Sequence, residues 1–217
     1  FLKINNCKLT KNINIQSIKV PINQWIFNEF IKVQNLVTKN IEIFRFDEAA
    51  KHAYQFTWHS YCDWYLEFLK PIFNSKNMEE IKEARVFSSF MLANILKILH
   101  PFIPFFSESV WSKNNYKTIF KENLISSSWP NYKNFSKFNK NQVNINNLIE
   151  LISNIRSTKA ELKITPKLFC DISFSEKPKK LHKLIYNNIN LIKQVGRING
   201  VIKSKINDKN TIDILVL

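Results

Sequence analysis

The stretch from Arg45 to Pro71, RFDEAAKHAYQFTWHSYCDWYLEFLKP, constrains the fold of this chain more than any other. Phe46, Ala50, Ala53, Thr57, Tyr61, Trp64 and Phe68 recur at spacings of three and four, which places them on one helical face. Tyr54, Trp58, Tyr65 and Leu69 widen that face. Glu48, His52, Gln55, His59, Asp63, Glu67 and Lys70 fall on one narrow polar stripe. A helix this apolar packs against neighbours on several sides. Asp47 and Glu48 occupy the first turn, where the helix dipole favours anions. Pro71 is the expected end, because it lacks a backbone N–H and crowds the preceding turn. The helix would run roughly 35–40 Å and form the central rod of a bundle.

The 217 residues are enough for one sizeable core, or for one domain and a small appendage. Lysine and arginine number 32 against 17 acidic residues, a net charge of +15. Such charge points to a polyanionic partner, nucleic acid first. The abundance of Asn, Lys and Ile is also the mark of an AT-rich genome, which raises lysine content without any function. The two sources are compatible. Cys7, Cys62 and Cys170 have no paired spacing and read as small apolar residues in a reducing compartment. No secretory leader is visible, and the expected location is cytoplasmic. Val86 to Phe106 is apolar, but Asn94, Lys97, His100, Pro101 and Pro104 favour a buried helix over a membrane span. Gly196 and Gly200 are the only glycines, which excludes phosphate-cradling glycine loops. Asn is expected to fill the left-handed backbone positions that glycine would otherwise take.

In chain order, Phe1 to Asn6 reads as the end of a helix and Cys7 to Val20 as irregular chain. Asn23 is the expected N-cap of a helix over 24–38, with Ile22, Ile26, Phe30, Val33 and Val37 as its apolar stripe. Asn77 with Glu80 resembles a capping box opening a helix over 78–99. Pro101 and Pro104 turn the chain into a shorter helix through Trp111. Residues 114–143 interleave lysines with Tyr116, Phe120, Tyr132, Phe135 and Phe138. They read as a long connection pinned to the bundle by its aromatics, with a basic and aromatic RNA-contacting strip as the alternative. A helix over 144–163 follows, with Ile145, Leu148, Ile152, Ile155 and Leu162 inside and Arg156, Lys159 and Lys163 outside. Beyond Pro166 the pattern becomes strand-like over 168–174, helical over 178–195, then two strands over 201–206 and 211–217. The expected fold is mainly α: a helical bundle over 1–166 and a small α/β appendage of order β-α-β-β over 167–217.

No catalytic constellation emerges. His52 and His59 lie seven apart, whereas metal pairs on one helix face sit at i and i+4. Asp63 and Glu67 are one turn apart and are expected to meet partners on neighbouring helices. Ser126, Ser127 and Ser128 have no base nearby in the sequence.

FDEAAKHAYQFTWHSYCDWYLE resembles the C-terminal region of the valyl-tRNA synthetases, a family of class I aminoacyl-tRNA synthetases. INQWIFNEF, LHPFIPFFSESVW, SSSWP and LISNIRSTKAELKITP follow in that family's order, and the likeness weakens after Lys167. The resemblance implies an α-helical anticodon-binding domain that holds valine tRNA, binds neither DNA nor membrane, and works as a monomer. The corresponding domain of the leucine or isoleucine enzymes and a helical protein-interaction module are the alternatives. Neither a His-x-Gly-His nor a Lys-Met-Ser-Lys-Ser type motif is present. The resemblance therefore implies no cofactor in this chain, while ATP with magnesium would serve a parent enzyme's catalytic domain. FLKINN resembles the family's Arg-Phe-x-x-x-Asn segment, whose aromatic stacks on an anticodon base, so Phe1 is the first RNA-binding candidate. Lys3, Arg45, Leu66, Lys70, Arg156, Lys159 and Lys163 are further candidates, each with a solvated or packing role as its alternative. Tyr61 and Trp64 are assigned to the core.

Overall fold

The structure, a computed structural model, describes residues 1–10, 13–132, 135, 138, 142–165, 167–173 and 184–202. The chain divides into two compact units, Phe1–Asn141 and Gln142–Leu217. This division groups the helix expected over 144–163 with the C-terminal unit, ahead of the boundary expected at 166.

The N-terminal unit is helical throughout its regular structure: α1 (Pro21–Glu42), α2 (Phe46–Gln55), a π-helical segment (Phe56–Tyr65), α3 (Leu66–Phe73), α4 (Met78–Leu99), α5 (Pro104–Lys113) and the short α6 (Tyr116–Phe120). α1 begins three residues earlier than expected. Pro21 stands at its first position, where the missing N–H costs nothing. Asn23 is therefore not its cap but a fully buried side chain inside it. Glu83 of α4 takes the capping role, accepting from the Lys19 and Val20 N–H groups and from Asn23 Nδ2, each at 2.9 Å. The Tyr65 hydroxyl donates to Asn23 Oδ1 at 2.8 Å. Asn77 caps α4 as expected, its Oδ1 accepting from the Glu79 and Glu80 N–H groups. The N–H of Asn77 goes to Ser75 Oγ.

The central rod departs from one continuous α-helix. Phe56–Tyr65 is π-helical, so hydrogen bonds there skip one residue more than in an α-helix. The buried positions run Ala49, Ala53, Phe56, Tyr61, Tyr65, Phe68 and Leu69, with a step of five between Phe56 and Tyr61. Of the expected stripe only Ala53, Tyr61 and Phe68 are buried. Phe46, Tyr54 and Trp58 face solvent at 52, 60 and 53% exposure, and Trp64 is half-buried against Phe68. The same register turns Asp63 outward, where it meets His59 of its own helix at 3.3 Å. Glu67 pairs with Lys70, also on its own helix. Pro71 does not end the rod: it sits in the last turn, where one forgone hydrogen bond is tolerable, and α3 continues to Phe73.

The core of this unit is aromatic. Phe27 is fully buried, with ring centroids of Tyr132 and Phe135 at 5.0 Å and of Phe87 at 6.1 Å, all edge-on. A second cluster joins Leu9, Ala93, Leu96, Trp111, Tyr116 and Leu124. The connection after α5 is pinned by its aromatics. Tyr116 is buried and donates to the Ser89 carbonyl at 2.8 Å, Tyr132 donates to Asn94 Oδ1 at 2.9 Å, and Trp129 donates to Thr38 Oγ1 at 2.9 Å.

The C-terminal unit contains α7 (Gln142–Glu161), β1 (Cys170–Ser173), α8 (Ile189–Gly196) and β2 (Ile198–Ile202). The two strands pair in parallel, Cys170 opposite Ile198 and Ile172 opposite Val201. β2 therefore lies ahead of the strand expected over 201–206. The turn and last strand expected at 207–217, like Pro166, lie outside the described residues. Its core is aliphatic: Ile145, Leu148, Leu151, Ile152, Ile155, Ile192, Val195 and Ile198. Leu162, expected inside, is 43% exposed because α7 has already ended.

Left-handed backbone occurs at Asn6 and Asn115, as expected for Asn, but also at Phe44, Lys121, Lys163 and Arg197.

Candidate nucleic-acid interface

The first residues form a closed helical turn. The Cys7 N–H donates to the Leu2 carbonyl at 2.9 Å and the Asn6 N–H to the Lys3 carbonyl at 3.2 Å, with Asn6 left-handed. These are the two bonds of a Schellman C-cap. Asn5 fixes Phe1 as well, its Nδ2 donating to the Phe1 carbonyl at 3.0 Å. The Phe1 ring is 37% exposed and its centroid lies 5.9 Å from that of Phe73 at the end of α3. Leu66, Lys70 and Phe73 are spaced by four and three and share a face of α3. Leu66 is half-buried, whereas Lys3 and Lys70 are exposed. Four of the sequence candidates (Phe1, Lys3, Leu66 and Lys70) thus gather at one end of the central rod. Phe73, which sequence reasoning missed, is the ring that seats Phe1; its spacing from Lys70 was the available signal.

Arg45 stands at the opposite end of the rod, about 28 residues and on the order of 35 Å from Phe73. Its Nε lies 3.2 Å from Asp47 Oδ1, and Glu48 is 3.8 Å from its Nη2. The hydrogen bond with Asp47 raises the Arg45 guanidinium and lowers the Asp47 carboxyl relative to their ordinary values. Arg45 does not join the Phe1 cluster.

The remaining candidates lie in the C-terminal unit: Arg156 and Lys163 are exposed as expected, and Lys159 is not. Lys163 is exposed and left-handed at the end of α7, closing a second Schellman motif through its own N–H to the Ala160 carbonyl and that of Ile164 to the Lys159 carbonyl. Lys159 is only 8% exposed, donating to the carbonyls of Leu168 at 2.7 Å and Arg197 at 3.0 Å. Arg156 Nε and Nη2 both donate to the Val195 carbonyl, at 3.3 and 2.9 Å. Lys159 is inside because the end of α8 presents carbonyls that need donors, and an aliphatic helix face supplies none. Arg197, which follows α8 in a left-handed conformation, is exposed beside them and was not among the sequence candidates.

Among the described residues, no group of three or more His, Cys, Asp or Glu is placed to hold a metal ion, and no helix is long and apolar enough to cross a membrane. Burial raises the Cys7 and Cys62 thiols, the opposite of what a reactive thiolate needs.

The mainly helical chain falls in a known domain class. Residues 23–174 match the family described as the anticodon-binding domain of tRNA ligase, and the chain belongs to that family. It is similar to the valine–tRNA ligase of Pelagibacter ubique, 39% identical over 216 residues, which is 100% of this chain and 24% of that protein. It is similar also to the valine–tRNA ligases of Zymomonas mobilis, 34% identical over 94% of this chain and 23% of that protein, and of Caulobacter vibrioides, 36% identical over 76% and 18%. The chain spans about a quarter of the length of the relatives it matches over its whole extent.

Proposed function

We propose that this chain binds the anticodon arm of valine tRNA and positions it for aminoacylation by a catalytic domain of the same parent enzyme, a valine–tRNA ligase of the cytoplasm. The observation that carries this reading is the gathering of Phe1, Lys3, Leu66 and Lys70 at one end of the rod in a chain of the anticodon-binding family. Unpaired bases are read by stacking on aromatic faces and by contacts to their edges, while lysines hold phosphates. Phe1 supplies a half-exposed ring seated on Phe73, Leu66 an apolar flank, and Lys3 and Lys70 the charge. Arg45 and Lys163 provide phosphate contacts elsewhere on the RNA. ATP with magnesium belongs to the activation step in the parent enzyme, and this chain alone is expected to activate no amino acid.

A salt titration of binding tests the reading. If about three to five phosphates are contacted, log affinity for valine tRNA falls against log salt with a slope of roughly −2 to −4.5. Phe1→Ala should reduce the preference for the valine anticodon over a swapped one and leave that slope nearly unchanged, because stacking releases no counterions. Equal preference in both proteins overturns the stacking assignment. Equal binding of valine, leucine and isoleucine tRNAs overturns the valine assignment.

A further inference from the structure

On the central rod the residues turned away from the core recur at a fixed step of four: Tyr54, Trp58, Cys62, Leu66 and Lys70. Tyr54 and Trp58 are 60 and 53% exposed, Cys62 and Leu66 are half-buried, and Lys70 is exposed. In an α-helix a step of four overshoots a full turn by about 40°. Repeated from Tyr54 to Lys70, that excess would wind the row by about 160° and carry one end of it into the core. The π-helical turns of Phe56–Tyr65 take more residues each, so the same step falls short there and the two errors offset. The outcome is a straight outward row along the rod. Phe73, three positions beyond Lys70, joins it to the Phe1 ring. A polar row of Gln55, His59, Asp63 and Glu67 runs beside it, with His59 joined to Asp63 and Glu67 to Lys70. The alignment is obtained with ten residues of a rare helix type, one that recurs at functional sites. Charged residues are depleted from the core of a protein–protein interface, so this mixed surface is a poor fit to a protein partner. Unpaired bases suit it, since they take an aromatic face together with polar groups at their edges.

We infer that this row continues the base-binding surface of the Phe1 cluster, with Trp58 and Tyr54 as stacking platforms for further unpaired nucleotides of the bound RNA and with Gln55 and Asp63 at the base edges. The inference rests on the RNA-binding reading above and extends it along the rod. Trp58 lies eight residues from Leu66, a distance of about 12 Å, which about four stacked nucleotides span.

The test measures the affinity of the whole chain and of its Trp58→Ala, Trp58→Phe and Tyr54→Ala variants for the anticodon stem-loop of valine tRNA and for a fully paired duplex of the same stem. Circular dichroism melts are the folding control. Both rings are exposed, so all four proteins should melt alike. Loss of one stacked base should weaken stem-loop binding about 5- to 150-fold in Trp58→Ala, and Trp58→Phe, which keeps a ring, should restore most of it. The slope of log affinity against log salt should not change, because stacking releases no counterions. Unchanged affinity in both alanine variants overturns the row while leaving the RNA-binding reading intact. An equal loss on the duplex also overturns it, since unpaired bases would then not be the ligand. Absence of stem-loop binding by the wild-type chain overturns the reading itself and the row with it. A second arm needs no variant: the wild-type chain is photocrosslinked to a stem-loop carrying 5-iodouridine in its loop, and the joined peptides are mapped. Crosslinks at Tyr54 or Trp58 are expected. Crosslinks confined to Phe1 and Phe73 overturn the row.

Discussion

In the N-terminal unit, three of the buried or part-buried polar side chains tie one element to another. Glu83 closes the start of α1, Asn23 joins Glu83 to Tyr65, and Tyr116 serves Ser89. Around them the core is built of rings. In the C-terminal unit the core among the described residues is Ile, Leu and Val, and the buried polar side chain is that of Lys159, resting on carbonyls. The first arrangement fixes a unique packing, because each ring and hydroxyl has one geometry that satisfies it. The second closes carbonyls that an aliphatic face leaves without donors.

Alkaline pH should break the two units apart most strongly. Burial pushes the Tyr132 phenol up to about 12 and raises Tyr61, Tyr65 and Tyr116 above the ordinary tyrosine value. Unfolded tyrosine ionises near pH 10. The folded unit therefore keeps protons that the unfolded chain releases. Stability is fully present below about pH 10 and is lost as pH rises toward and through the folded values, at up to about 1.4 kcal/mol per pH unit for each tyrosine. The C-terminal unit has only Tyr186, which is 84% exposed. Near-ultraviolet circular dichroism should collapse above pH 10 while α7 amides remain protected from exchange. Simultaneous loss of both would show that the units do not differ in this way.

Phe27→Ala removes the ring at the centre of the aromatic core and should cost about 3–5 kcal/mol, lowering Tm by roughly 6–20 °C. A shift of only a few degrees would mean that the core relaxes into the space, as an aliphatic one does. Tyr65→Phe tests the polar network alone. It preserves the ring and strands Asn23 Oδ1, for an expected loss of about 1–3 kcal/mol in urea unfolding. Asn77→Ala gives the smallest effect, about 1 kcal/mol, because the α4 cap is exposed and water replaces it in part. A larger loss there would mean that the cap also organises the ends of the neighbouring helices.

Local rules read from the sequence fared best where one residue decides the outcome. Asn77 caps α4, Pro104 starts α5, and Tyr116 and Tyr132 pin the long connection. The mainly helical class with a small α/β part is likewise as expected. The misses occur where a distant residue prevails. Asn23 has the chemistry of an N-cap, but Glu83, sixty residues away, takes its side-chain amide together with the Lys19 and Val20 N–H groups, and the helix starts ahead of it. Lys159 has the spacing of a surface residue, but the end of α8 offers it carbonyls. The Phe1 cluster was partly legible, since Leu66 and Lys70 share a turn. The seat on Phe73 required the fold of the chain end, which no periodicity encodes.

The π-helical segment has a bearing on which changes of length the rod tolerates. Its buried flanks, Phe56 and Tyr61, stand five positions apart. Deleting one residue between them, such as exposed Trp58 or His59, would leave a spacing of four, and an ordinary α-helix would then bury both flanks in their present orientation. Elsewhere in the rod the same deletion would rotate everything downstream by about 100° and turn the core face into solvent. The segment is thus a spare residue carried in the middle of the molecule, where the length of a buried helix can shorten without loss of register.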